Sequence, residues 1–267
     1  VVTIKAMVTL ARMEPLSADA IMQALRHDDP QLALQNASTK NNTVYIDVDG
    51  HAVSVTFVPE PIPAARLEDA AASSLLWPQA LEVLGAHPMH LAVAIAAPAT
   101  GPGTGTGDVI ARARILTQVT AALGAAFASA HGVLWCGADL LVPMPLFRQL
   151  AQKLMPKGPP IHLWVKFHAG LNDAGQACGY TRGLAALGLM DVEVEASPES
   201  VNDLGRRLES IAGYLLANGP VVHDGDRLGE PGGAVVHVAY GDSVFGNAYP
   251  VMRLDYNGGK KPFWKLW

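Results

Sequence analysis

The sequence holds two cysteines and nine histidines, the residue types that most often serve as nucleophile, general base or metal ligand. Cys136 follows Trp135 at the end of a short apolar run. Thiol chemistry there would need a histidine base such as His168 or His131 and an orienting carboxylate such as Asp139. No papain-like or caspase-like residues flank Cys136, and neither it nor Cys178 belongs to a Cys-x-x-Cys pair. A free cysteine in this setting is expected to act as a small apolar side chain. A cysteine/histidine hydrolase built on Cys136 and His168 is the enzymatic alternative, and no Gly-x-Ser-x-Gly elbow offers a serine in its place.

The histidines do not have metal-ligand spacing. No two stand at i, i+4 around a glutamate, and none pairs with a cysteine at zinc-like distance, so neither a metal nor a cofactor is expected. His162 and His168 fall on one expected strand, on the same face but about 20 Å apart, too far to share an ion. His87 and His90 bracket Pro88 and are expected to tether a helix-to-strand turn. The loop 98–107, rich in Gly, Thr and Pro, precedes a helix opening at Asp108, an arrangement that can bind phosphate. Thr106 and Asp108 stand where a dinucleotide fingerprint would need its third glycine, and no Gly-Lys-Ser/Thr triplet follows, so the loop reads as a linker. Asp191, Glu193 and Glu195 alternate with valines, which places three carboxylates on one strand face, turned toward solvent or a basic partner. His223-Asp224-Gly225-Asp226-Arg227 lacks the order of a calcium loop and is expected to be a turn.

These residues must be positioned by a chain of 267 residues, half of them hydrophobic, long enough to bury one large core or two modest ones. A net charge of −5 with dispersed Lys and Arg argues against nucleic acid as a partner. The apolar stretch from Met89 to Ala99 is about half the length of a membrane span, so no membrane association is expected. Two cysteines without a pairing pattern suit a reducing compartment, and a cytoplasmic location is expected. Val1 stands in place of an initiator Met, so leading residues, including any targeting segment, are expected to be missing.

The periodicity predicts an α+β fold of two lobes. In the first, 1–97, a strand (2–10), a helix capped by Ser17, a hairpin turning at Asp49-Gly50, a helical stretch broken near Pro78 and a buried strand (90–97) follow in the order β-α-β-β-α-β. That is the connectivity of a ferredoxin-like sandwich. After the linker, the second lobe, 108–256, is expected to hold a mixed or antiparallel sheet with helices. Its strands are expected near 133–136, 161–168, 191–196, 234–240 and 251–256, with helices at 108–130, 145–154 and 197–217. Residues 257–267, with Trp264 and Trp267, read as a loosely attached tail.

Gly132-Val133-Leu134-Trp135, Leu163-Trp164-Val165, Thr181-Arg182-Gly183-Leu184 running through Leu187-Gly188 to Val192-Glu193-Val194, and Asp224-Gly225-Asp226-Arg227-Leu228-Gly229 together resemble the bacterial family called domain of unknown function 4261. The resemblance spans roughly 75–256 and departs at Arg227, where the family tends to carry threonine. It implies no catalytic residues. It implies a stand-alone cytoplasmic protein whose relatives lie near secretion and polymorphic-toxin loci, and from it follows the expectation of a non-enzymatic immunity protein that neutralises a cognate secreted toxin by occlusion. Trp77 and Trp164 are the candidate aromatic anchors for that partner and Asp191, Glu193 and Glu195 its acidic counterpart, with core packing as the competing fate of both tryptophans. A structural adaptor or homodimer is the third reading.

Overall fold

The computed structural model of the chain describes residues 3–71, 74, 77–85, 87–96, 106–229 and 235–256. They divide into two compact units, Val1–Lys166 and Phe167–Trp267. The first unit runs β1 (Ile4–Leu10), α1 (Ala18–Asp28), β2 (Leu34–Lys40), β3 (Thr43–Val48), β4 (His51–Val58), α2 (Ala64–Ala71), α3 (Ala80–Leu84), β5 (Met89–Ile95), α4 (Thr106–Ala126), β6 (Ala130–Trp135), β7 (Leu140–Pro143), α5 (Met144–Leu154) and α6 (Ile161–Trp164).

Alternation builds the first core. Ile4, Ala6, Val8 and Leu10 of β1 share a face with Ile46 and Val48, Val53 and Val55, Leu91, Val93 and Ile95, and with Val133 and Trp135, all of them buried. Helices α1, α4 and α5 pack against one another, and α4 lies on β1 and α5 on β6. The local signals behave as expected in several places. Ser17 Oγ accepts from Ala20 N–H at the start of α1, and Asp49 and Gly50 both take the positive φ that a tight hairpin between β3 and β4 requires.

The seven strands form one antiparallel sheet, ordered β2-β3-β4-β5-β1-β6-β7. A ferredoxin-like sandwich would place β1 between β4 and β5; here β5 lies between β4 and β1, so the α+β class stands but the ferredoxin-like connectivity does not. The expected boundary also moves. Beyond the 98–107 segment, β6 hydrogen-bonds onto β1 and β7 onto β6 in the same sheet, so residues 108–166 complete the first unit and the division falls at 166/167. Most of the expected linker and the whole 257–267 tail lie outside the described residues.

In the second unit, β8 (Lys166–Leu171), β9 (Ala177–Arg182), a 3₁₀ turn (Ala185–Leu187), β10 (Val192–Ser197), α7 (Val201–Asn218), β11 (Arg227–Leu228), β12 (Val236–Gly241) and β13 (Val251–Asp255) follow in order. The sheet is mixed, ordered β11-β12-β13-β10-β9-β8, with β10 and β13 parallel. Ser200 caps α7, its Oγ accepting from Asp203 N–H at 3.1 Å, and the helix turns Leu204, Leu208, Ala212 and Leu215 inward. Gly179 lets α7 and β8 approach β9: a Cβ there would lie 2.4 Å from the His168 carbonyl and 3.0 Å from Leu208 Cδ1.

Candidate functional site

Asp191 and Glu193 lie at the start of β10, and both are buried. Thr181 Oγ donates to Asp191 Oδ1 at 3.1 Å, and the next three backbone N–H groups that reach the carboxylate come from Gly183, Leu184 and Ala185 at 3.3, 3.0 and 3.4 Å. The Thr181-Arg182-Gly183-Leu184 run therefore wraps its amides around one carboxylate, with Gly183 in a positive-φ conformation suited to the close turn. Asn247 Nδ2 is the fifth donor, at 3.1 Å, and comes from the β12–β13 connection. Burial pushes the Asp191 carboxyl above its ordinary range, against the pull of these donors.

Glu193 secures the same connection. Ser243 Oγ donates to its Oε1 and Val244 N–H to its Oε2, the latter at 2.9 Å. Ser243 Oγ in turn accepts from Phe245 and Asn247 N–H at 3.1 and 2.8 Å. Two buried carboxylates thus hold a loop of irregular backbone, 242–250, against the sheet face that α7 does not cover. Glu193 and Tyr180 are register partners, so the Tyr180 ring lies on that face. It stacks on His168 with centroids 5.0 Å apart, meets Phe245 at 5.3 Å, and has the Arg182 guanidinium 5.7 Å above it. From the held loop Val244 and Tyr249 stand 48% and 64% exposed.

The Asp-Gly-Asp turn is structural as well. Asp226 Oδ2 accepts from His223 N–H and Asp224 Oδ1 from Tyr240 N–H, both at 2.8 Å, while Gly225 N–H donates to Val238 O on β12 and Val238 N–H to Asp226 O.

Residues 180–255 match the family model described as Domain of unknown function (DUF4261). The resemblance holds in the second half of the chain. The matched span runs from the second half of β9 to β13, with α7, and takes in Thr181, Asp191, Glu193, Ser243 and Asn247. Gly132–Trp135 and Leu163–Val165 fall outside the match, which is narrower than the expected 75–256. No curated protein and no solved structure matches the chain.

The predicted site residues separate. Trp77 is buried in a cluster with Ile62, Leu67, Leu84, Leu134 and Leu141, its ring over Gly132, where a Cβ would come within 2.4 Å. Trp164 is fully buried and donates from Nε1 to Thr117 Oγ at 2.8 Å. Neither can anchor a partner, because each already fills a hole in the first core. The expected solvated acidic face is corrected in the same way: β10 is covered on both sides, by α7 and by the 242–250 loop, and only Glu195 is exposed, paired with Arg253. The expected 161–168 strand is a helical turn followed by β8, so His162 and His168 do not share a strand. Pro159 and Pro160, without N–H groups, start that turn, and Val165 N–H closes it on Ile161 O at 2.8 Å.

Cys136 lies just past β6, partly buried, with its thiol 3.8 Å from Leu134 O, and desolvation raises its pKa above the ordinary thiol value. His131 is on the same strand five residues away, roughly 17 Å, and exposed. Burial outweighs the pull of the Arg66 and Lys5 charges, so the arrangement disfavours a thiolate. Among the described residues no group of three or more His, Cys, Asp or Glu side chains is placed to hold a metal ion, and no helix is long and apolar enough to cross a membrane. A cavity of about 250 Å³ in the first unit, between α1, α4 and α5, has its polar rim engaged: Gln118 bonds Asp29, Gln152 bonds Asp28 and Arg114 bonds Met155 O.

Ser243, Phe245 and Asn247 were missed by sequence reasoning. Their only signal is a polar loop between two strands, and their importance comes from carboxylates some fifty residues away.

Proposed function

We propose that this chain is a non-enzymatic protein-binding protein of the cytoplasm, an immunity protein that neutralises a cognate secreted bacterial toxin of the type VI kind by occluding it. We place the contact on the 242–250 loop and the adjoining His168–Tyr180–Phe245 stack. The observation that carries this reading is a loop whose backbone is tied to two buried carboxylates while Val244 and Tyr249 remain exposed. A loop ordered before binding loses little entropy on docking, and tyrosine and arginine are the side chains that most often dominate interface energies. The toxin as partner is the expectation attached to the resemblance, and the residues that hold the loop lie inside the matched span, whose family is one of unknown function. Occlusion requires an interface of roughly 1,600 Å², of which this face would form the centre.

Co-expression with the product of the adjacent gene, followed by affinity capture and a toxicity assay, tests the reading. A stoichiometric complex that abolishes toxicity and is weakened at least about tenfold by Y249A together with V244D is the expected result. Tight binding indifferent to both substitutions would move the contact elsewhere, and no complex with the neighbour would end the immunity reading.

A further inference from the structure

Between β4 and α2 the chain reads Val58-Pro59-Glu60-Pro61-Ile62-Pro63. Alternating prolines remove every second N–H, so the segment cannot extend the sheet, and Glu60 and Ile62 hold the only amide donors between Pro59 and Pro63. Ile62 N–H and Glu60 O bond to two buried histidines, each 7% exposed, while Pro63 O accepts from the first turn of α2. Ile62 N–H donates to His87 Nε2 at 2.8 Å, His87 Nδ1 donates to Leu84 O at 2.6 Å, and His90 Nδ1 donates to Glu60 O at 2.8 Å. Only the neutral His87 ring with its proton on Nδ1 can make both of its bonds. Ile62 then enters the cluster in which Leu67 and Ala70 of α2 cover Leu134 and Leu141, with Met7 beside them.

We infer that His87 is an acid-operated clasp, with His90 as a second tie, which holds the 59–63 segment and α2 on the sheet when neutral and releases them when its Nε2 takes up a proton, the His90 bond to Glu60 O being one that a protonated ring can still make. A proton on His87 Nε2 turns the acceptor into a donor facing the Ile62 N–H, and that buried amide loses its partner. The charged residues on the elements that the clasp joins are Glu60 in the segment, Arg66, Glu68 and Asp69 on α2 and Glu82 on α3; of these Glu60 acts on His90, whose register neighbours, Thr9 and Val58, are uncharged. Burial holds His90 below the ordinary histidine value, and His87 acts in the same direction, while Glu60 opposes both. Release uncovers the apolar side chains of Met7, Leu134 and Leu141.

Hydrogen exchange of the whole chain, corrected for intrinsic rates, tests the clasp between pH 7.5 and 5.0. Protection of residues 62–71 is expected to fall by up to roughly tenfold per pH unit for each proton taken up, while β3 to β5 keep theirs. In H87Q, whose carboxamide oxygen accepts from Ile62 at any pH, the dependence should flatten. Equal loss of protection in both regions, a flat profile in the unaltered chain, or an unchanged profile in H87Q overturns the clasp. Should H87Q not fold, the comparison of the two regions in the unaltered chain decides.

Discussion

Asp191 and Glu193 are two residues apart with a valine between them, and an isolated strand would turn both to water. Each instead ends a polar network, Asp191 with five donors and Glu193 with two. Replacing Asp191 by alanine strands the Gly183, Leu184 and Ala185 amides and Asn247, and should lower the unfolding free energy of the second unit by about 3 kcal/mol, read by urea titration. Cys136 makes the opposite point: its raised thiol pKa predicts slow modification by a disulfide reagent at pH 7.5, becoming fast only in denaturant. For His90 the sign is fixed by burial. The unfolded ring protonates near 6.5 and the folded ring below that, so the unfolded chain binds more protons in this window. The contribution is complete above pH 6.5 and is lost as pH falls through the depressed folded value. H90Q should therefore show a shallower loss of melting temperature between pH 6.5 and 5.0 than the unaltered chain.

At the scale of elements, local signals coincide with the structure where a single residue type imposes the geometry. Ser17 capped a helix, Asp49-Gly50 made a hairpin and the Pro78 break separated α2 from α3. β2 escaped because nearly all its residues are exposed and polar, leaving no alternation to detect, and β7 because it spans four residues. The 161–164 stretch resembled a strand because Ile161, Leu163 and Val165 alternate with His162 and Trp164, yet Trp164 is drawn into the core by Thr117 on α4. T117V should leave the indole N–H without its acceptor and cost about 1–2 kcal/mol in thermal or urea unfolding. G132A should cost a similar amount by a different route, since its Cβ would overlap the Trp77 ring; Trp77 fluorescence should shift with it.

At the scale of the whole molecule, the chain is two α+β units, and the family match falls entirely in the second. Perturbations confined to different units should then be independent. D191A and G132A combined should show additive losses within about 0.5 kcal/mol, with hydrogen exchange rising in β9 to β13 for the first and around β6 for the second. The α+β class, the helices with caps and the His87 bond to Leu84 O at the turn from α3 to β5 were encoded in short-range pattern, because caps, turn residues and period-two or helical spacing act over a few residues, whereas the ties of His87 and His90 to Ile62 and Glu60 were not. Sheet order, the 166/167 division and the burial of Asp191 and Glu193 were decided only in three dimensions. β6 joins β1 across more than a hundred residues, and the loop that covers β10 comes from some fifty residues further along. Which strand borders which, and which polar face is closed off from water, depend on long-range pairing that no local window contains.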